Sequence, residues 1–122
     1  MSFLTETGHS QQRVYHEDCV AGIARQLVPG SVDVVVTSPP YNLGTPYSGY
    51  DDTIPREQYL DWLENWARVV SSVLSEDGSV FLNIGAKPSD PSVPFQVLAR
   101  MQDHFHLQNV IHWVKSISIL KE

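Results

Sequence analysis

Residues 32–36 read VDVVV and are followed at once by Thr37, Ser38, Pro39 and Pro40. A β-branched run with one polar position, Asp33, is the pattern of a strand buried on both faces of a parallel sheet. The two prolines end it, because proline lacks the N–H a ladder needs and forces the preceding residue into extended geometry. Parallel neighbours also require crossover connections of a dozen or more residues. A buried strand that halts at a rigid turn therefore asks for helix-length segments around it.

The rest of the chain supplies them. Residues 1–12 lack periodicity and read as a loose leader, and the ordered part, 13–122, begins with a short β-favouring stretch at Val14 and Tyr15. Asp18 stands at a helix-start position before Cys19, Ile23, Ala24 and Leu27, which recur at helical spacing until Pro29 and Gly30. After the prolines, residues 41–52 are rich in Gly, Pro, Ser, Asn and Asp and read as a loop, in which Asp51 and Asp52 solvate the chain or cap the next helix. Tyr59, Leu63, Trp66, Val70 and Val73 mark that helix over about 55–74, with Glu64 and Arg68 as an i,i+4 pair and the tryptophans as core residues. Asp77 and Gly78 make a turn, 79–84 a second buried strand, and 85–94 a proline-containing loop. Phe95, Leu98, Ala99 and Met101 mark a shorter helix, and 107–114 a third strand ending at Lys115. Strand–helix repetition implies an α/β fold built on a parallel sheet.

With 122 residues the chain has room for one modest core. No apolar run approaches the ~20 residues of a bilayer span. The polar first dozen residues have neither part of a secretory signal, so a cytoplasmic location is expected. One cysteine, Cys19, allows no intramolecular disulfide and argues against a cysteine-built zinc site. His104 and His106 are spaced for opposite faces of a strand or for a loop, so no metal is expected. The formal charge of -6 lacks the basic face of a self-sufficient nucleic-acid binder.

The chemistry concentrates in Thr37, Ser38, Pro39, Pro40, Tyr41 and Asn42. Ligand crevices of open α/β sheets lie beyond the carboxyl ends of the strands, where this segment falls. Two prolines hold the backbone extended, so the carbonyls of Ser38 and Pro39 project as free acceptors. Ser38 adds a hydroxyl and Tyr41 a flat stacking ring. Acceptors beside a stacking face suit a planar group that bears an NH2.

This TSPPYN segment, after an apolar strand and with HEDC upstream, resembles the catalytic motif of the DNA amino-methyltransferases, and the likeness extends over roughly residues 13–116, including GSVFLNIG and IHWVKS. The resemblance implies transfer of a methyl group from S-adenosylmethionine to an exocyclic amine of a flipped-out DNA base, cytosine N4 being favoured over adenine N6 because Ser38, and not Asp, precedes the two prolines. Ser38, Pro39 and Tyr41 would be catalytic, with Thr37, Pro40 and Asn42 lining the substrate. Asp18, Cys19 and Ser38 would contact the cofactor. With only 36 residues before Thr37, the order matches the permuted class, in which a glycine-rich cofactor motif follows the catalytic half. That motif and a basic recognition segment are absent from the sequence. The expected fold is a partial Rossmann-like methyltransferase sheet (βαβαβαβ), incomplete without a C-terminal half. In the family's 3-2-1-4-5-7-6 order this chain supplies strands 3, 4, 5 and 6, of which only 4 and 5 are neighbours. The expected partners are DNA and a missing C-terminal half or partner chain, in a restriction-modification setting. Two rivals stand beside this reading: a non-catalytic remnant or split half, and a protein or RNA amide methyltransferase.

Overall fold

The computed structural model describes residues 2–8 and 10–114. Strands β1 (Ser2–Thr7) and β2 (Ser10–Tyr15) are followed by helix α1 (Cys19–Gln26), strand β3 (Val32–Thr37), helix α2 (Arg56–Val73), strand β4 (Leu74–Leu82) and helix α3 (Val93–Met101). The fold is mixed α/β with a small parallel sheet, a partial Rossmann-like arrangement. Strands β3 and β4 pair in parallel across α2, forming a βαβ crossover. They correspond to the two strands expected to be neighbours. No helix among the described residues is long and apolar enough to cross a membrane.

Helix α2 organises the core because its apolar residues recur every three or four positions. Tyr59, Leu60, Leu63, Trp66, Ala67 and Val70 are buried against Val93, Val97 and Met101 of α3. Val20 and Ile23 of α1, Val35 of β3, and Val80 and Leu82 of β4 pack against this cluster. Arg100 of α3 fastens the two helices, reaching Glu64 at 2.6 Å, Glu57 at 2.8 Å and Asp61 at 3.1 Å. Those carboxylates lie at i, i+4 and i+7 and share one face of α2.

Several local expectations change. Glu64 pairs with Arg100, not Arg68, whose guanidinium bonds Asn65 instead. Residues 2–7, expected in a loose leader, form a hairpin with β2 in the register Thr7↔Ser10. Gly8, at φ 62°, opens its two-residue connection. The polar composition of this segment hid the pairing.

Helix α3 buries Val93, Val97 and Met101, an i,i+4 set, and exposes Phe95 and Ala99. Helix α1 turns Val20 and Ile23 to the core and leaves Cys19 and Ala24 exposed. The turn expected at Asp77 and Gly78 is an insertion within β4, where the register jumps from Val32↔Leu74 to Val34↔Ser79.

Residues 107–114 form no strand: no described strand pairs with them, and the seventh strand that would flank them in the family order is not among the described strands. Lys115 lies outside the described residues. The expectation that 32–36 is buried on both faces holds for one face only. Val35 meets the helices, whereas Val36 is 76% exposed and Phe81, on the same side of β4, is 53% exposed.

Candidate functional site

The carboxyl ends of β3 and β4 lie side by side. Pairing runs one residue past Thr37↔Leu82, because the Asn83 N–H donates to the Thr37 carbonyl at 2.9 Å. Each chain then leaves the sheet, β3 through the two prolines and β4 through Ile84 and Gly85. The segment expected to carry chemistry and the end of β4 thus stand together at the carboxyl end of the sheet, where open α/β sheets bind ligands.

Three polar side chains meet there. The hydroxyls of Ser38 and Tyr41 are 2.6 Å apart, and Asn83 Nδ2 donates to Tyr41 Oη at 2.9 Å and to Ser38 Oγ at 3.3 Å. The Tyr41 ring lies against Gly85, where an added Cβ would stand 2.7 Å from Cε2 and 2.8 Å from Cδ2. Only glycine leaves that space. The carbonyls of Ser38 and Pro39 accept no hydrogen bond from any described residue.

The next carbonyl differs. Pro40 O accepts the Tyr59 hydroxyl at 2.6 Å, and Tyr59 is fully buried in α2. Burial, then the nearby Tyr50 and Asp52, push the Tyr59 phenol well above its ordinary pKa, so it remains a donor.

Asn42 begins the loop in left-handed geometry, with φ 58°, a conformation Asn tolerates better than most residues. Its amide is committed inward: Nδ2 donates to the carbonyls of Asp52 (3.2 Å) and Ile54 (2.9 Å), and Oδ1 accepts from Arg56 Nε at 2.8 Å. Expected among the substrate-lining groups, Asn42 is placed as a loop anchor. Arg56 extends the anchor to Gln96 at 2.8 Å and Asp90 at 2.6 Å.

Asp52, expected to solvate the loop or cap a helix, is 2% exposed. Its carboxylate accepts the backbone N–H groups of Asn42 (3.0 Å), Leu43 (3.0 Å) and Thr45 (2.9 Å). Burial of this charge is offset by those three donors. Asp51 stays exposed and accepts from Thr53.

The expected cofactor residues do not all converge. Asp18 caps α1 by accepting from Ala21 N at 3.0 Å through Oδ1. Its Oδ2 takes no hydrogen bond from the described residues. Asp18 lines a cleft of about 460 Å³ between α1 and α2 with Val20, Ala21, Trp62, Asn65 and Arg68. It also borders a second cleft of about 230 Å³ shared with Cys19, Tyr15 and Glu17. Ser38 lines neither. Desolvation, then the Asp18 carboxylate, raise the Cys19 thiol above its ordinary pKa, the opposite of an activated thiol.

Reading the sequence missed Asn83, Gly85, Asp52 and Tyr59. A signal existed for the first two, since they follow a buried strand as Ser38 does. None existed for Asp52, because an acidic residue in a Gly-rich loop looks solvated until three backbone donors converge on it.

Comparison with known proteins gives a consistent family. The profile described as DNA methylase, covering N6 and N4 enzymes, matches residues 32–122. The chain is 52% identical over 54 residues to the type II methyltransferase M.MjaVI of Methanocaldococcus jannaschii, covering 44% of this chain and 28% of that one. It is 30% identical over 103 residues to the type II methyltransferase M.ScaI of Streptomyces caespitosus, covering 82% and 33%. It is 27% identical over 78 residues to the DNA adenine methyltransferase YhdJ of Escherichia coli, covering 64% and 26%. The chain thus spans a third or less of the length of these relatives.

Proposed function

This chain belongs to the DNA methylases of the N6/N4 class, and from that premise we propose that it carries the amine-holding site of a DNA amino-methyltransferase, with cytosine N4 the favoured acceptor. The observation that carries the reading is the pair of unengaged carbonyls at Ser38 and Pro39 beside the Ser38 hydroxyl and the Tyr41 ring.

An exocyclic amine is a weak nucleophile because its lone pair is delocalised into the ring. Acceptors that draw its two N–H bonds out of the ring plane favour a pyramidal nitrogen with an available lone pair. Ser38 and the Pro39 carbonyl would serve as those acceptors, while Thr37 and Pro40 line the approach. Such an amine is inaccessible inside a duplex, so the base must be extruded at a cost of about a few kcal/mol. Stacking on Tyr41, about 1–3 kcal/mol for a base on an aromatic ring, would offset much of it.

S-adenosylmethionine, when bound, supplies an electrophilic methyl group for a single displacement. The residues present fit part of it: the open Asp18 Oδ2 is an acceptor suited to the adenine amine, and Cys19 shares a cleft with it. The uncovered face of β3 and β4 fits a catalytic half, 13–122, completed by further polypeptide that brings a cofactor loop and a basic DNA-recognition surface.

The test is transfer of radiolabelled methyl groups to DNA, with the product nucleosides separated. The chain is assayed alone and with the C-terminal portion of a relative added in trans. N4-methylcytosine that disappears in Ser38→Ala and in Tyr41→Ala is the expected result. N6-methyladenine would reassign the base. Labelling of protein or RNA instead of DNA, or no labelling in any mixture, would overturn the proposal.

A further inference from the structure

We infer that Asn83 is a positioning residue for the Ser38–Tyr41 pair, acting through the hydrogen bonds that tie its side chain to both hydroxyls while Gly85 seats the Tyr41 ring. The inference rests on the function proposed above for its consequence, but not for its geometry. Asn83 sits one residue beyond β4, fixed through its own backbone N–H to Thr37. Its side chain is therefore referenced to the strand end from which Ser38 departs.

Counting protons shows what the amide does. Nδ2 has two hydrogens, and the two hydroxyl oxygens it faces lie at 2.9 and 3.3 Å. The hydroxyls, 2.6 Å apart, share one further hydrogen bond. Together these bonds close a three-membered ring of contacts and leave a single hydroxyl proton to point outward. If Ser38 donates to Tyr41, Ser38 Oγ keeps a lone pair for an amine hydrogen and the Tyr41 proton is the one left to point outward. Without Asn83 the Ser38–Tyr41 bond remains but can run in either direction, and the ring loses its polar link to the end of β4. Gly85 then sets the plane: with no Cβ in the way the ring settles against the backbone.

The experiment uses the intact chain with labelled tyrosine and glycine. In wild type, nuclear Overhauser contacts should join the Tyr41 ring to the Gly85 α-protons and to the Asn83 amide. Asn83→Leu keeps the branched arrangement of four side-chain heavy atoms and removes both donors, so the contact to Gly85 should fall at least twofold while α2 resonances stay put. Asn83→Asp should rescue it, because both hydroxyls can donate to a carboxylate. In a Tyr41→Phe background the Leu substitution should add nothing at the ring. Gly85→Ala should displace the ring by itself. A ring that keeps its full contact in Asn83→Leu overturns the inference, and so does failure of Asn83→Asp to restore it.

Methyl transfer, run on the same variants in the active mixture, separates the two ideas. Asn83→Leu should lower kcat by about ten- to a hundredfold, the scale of a misplaced reacting group, with less than a twofold change in KM for the cofactor. Transfer in wild type with undiminished kcat in Asn83→Leu refutes the positioning role and spares the function. An inert wild type with the expected ring contacts refutes the function and supports the positioning.

Discussion

Asp52→Asn should destabilise the chain by an amount set by its three bonds. The carboxylate accepts from Asn42 N on Oδ1 and from Leu43 N and Thr45 N on Oδ2. The amide oxygen of Asn can occupy the Oδ2 position and keep two of the three, but as neutral bonds. Charged acceptors contribute about 1.5–3 kcal/mol per bond and neutral ones about 0.5–1.5, so the two retained bonds lose roughly 2 kcal/mol together. The new NH2 then faces the Asn42 N–H, donor against donor, and a buried unmet donor costs about 1–3 kcal/mol. Opening of the loop to water caps the total, giving roughly 3–4 kcal/mol, a large share of the ~5–15 kcal/mol typical of whole domains. Urea unfolding followed by helical circular dichroism measures the loss. Amide hydrogen exchange should accelerate at Asn42, Leu43 and Thr45 while β3 keeps its protection. Stability within about 0.5 kcal/mol of wild type, the range of ordinary surface substitutions, with unchanged exchange at those three amides would refute the reasoning.

Tyr59→Phe removes the donor to Pro40 O and should cost about 0.5–1.5 kcal/mol in the same unfolding assay; a neutral result would mean that water replaces the phenol at that carbonyl. Gly78→Ala places a Cβ 2.6 and 2.8 Å from Leu74 side-chain carbons and 3.0 Å from the Ser75 carbonyl, an overpacking worth about 1–3 kcal/mol, and the unfolding midpoint should fall accordingly. Glu64 and Asp90 have carboxyl pKa values held below their ordinary range, first by hydrogen bonds from Arg100 and Arg56 respectively. A depressed carboxylate contributes stability that is complete above its unfolded pKa and is lost as pH falls through the folded one. The urea midpoint should therefore be flat near neutrality and decline below the ordinary carboxylate range, and Arg100→Ala should flatten part of that decline; an acid limb that Arg100→Ala leaves unchanged would count against Glu64 as a contributor.

Legibility in the sequence obeys one rule: periodicity reports elements, and packing decides faces. Helix α2 is readable because eighteen residues repeat a three-to-four spacing, and its buried set matches that spacing. Helix α3 has nine residues, too few to fix a phase, so Phe95 reads as core and is exposed. The strand at 32–37 is readable from β-branching, yet which of its faces is covered depends on residues distant in sequence. Residues 107–114 carry the same β-rich composition and form no strand, because a strand is a relation between two segments. The hairpin over 2–15 shows the converse, with polar residues paired through backbone groups that side-chain patterns do not report.

The six residues 37–42 show how folding divides a motif. The family resemblance assigns all of them to substrate or cofactor, and three of them also hold the structure together: the Thr37 carbonyl takes Asn83 N–H, the Pro40 carbonyl takes Tyr59, and Asn42 binds Asp52, Ile54 and Arg56. Ser38, Pro39 and Tyr41 lie between these anchors. The anchors flank Ser38, Pro39 and Tyr41, so the residues that would touch a base are fixed on both sides within one or two residues. A flexible loop with the same side chains would lose orientational freedom on every encounter, whereas here that loss has already occurred during folding. Two prolines suit this arrangement because their nitrogens demand no partner, which leaves the Ser38 and Pro39 carbonyls outside any ladder. Replacing Pro39 would therefore act less through the ring it removes than through the new N–H it adds, a donor able to engage the acceptors the site keeps open.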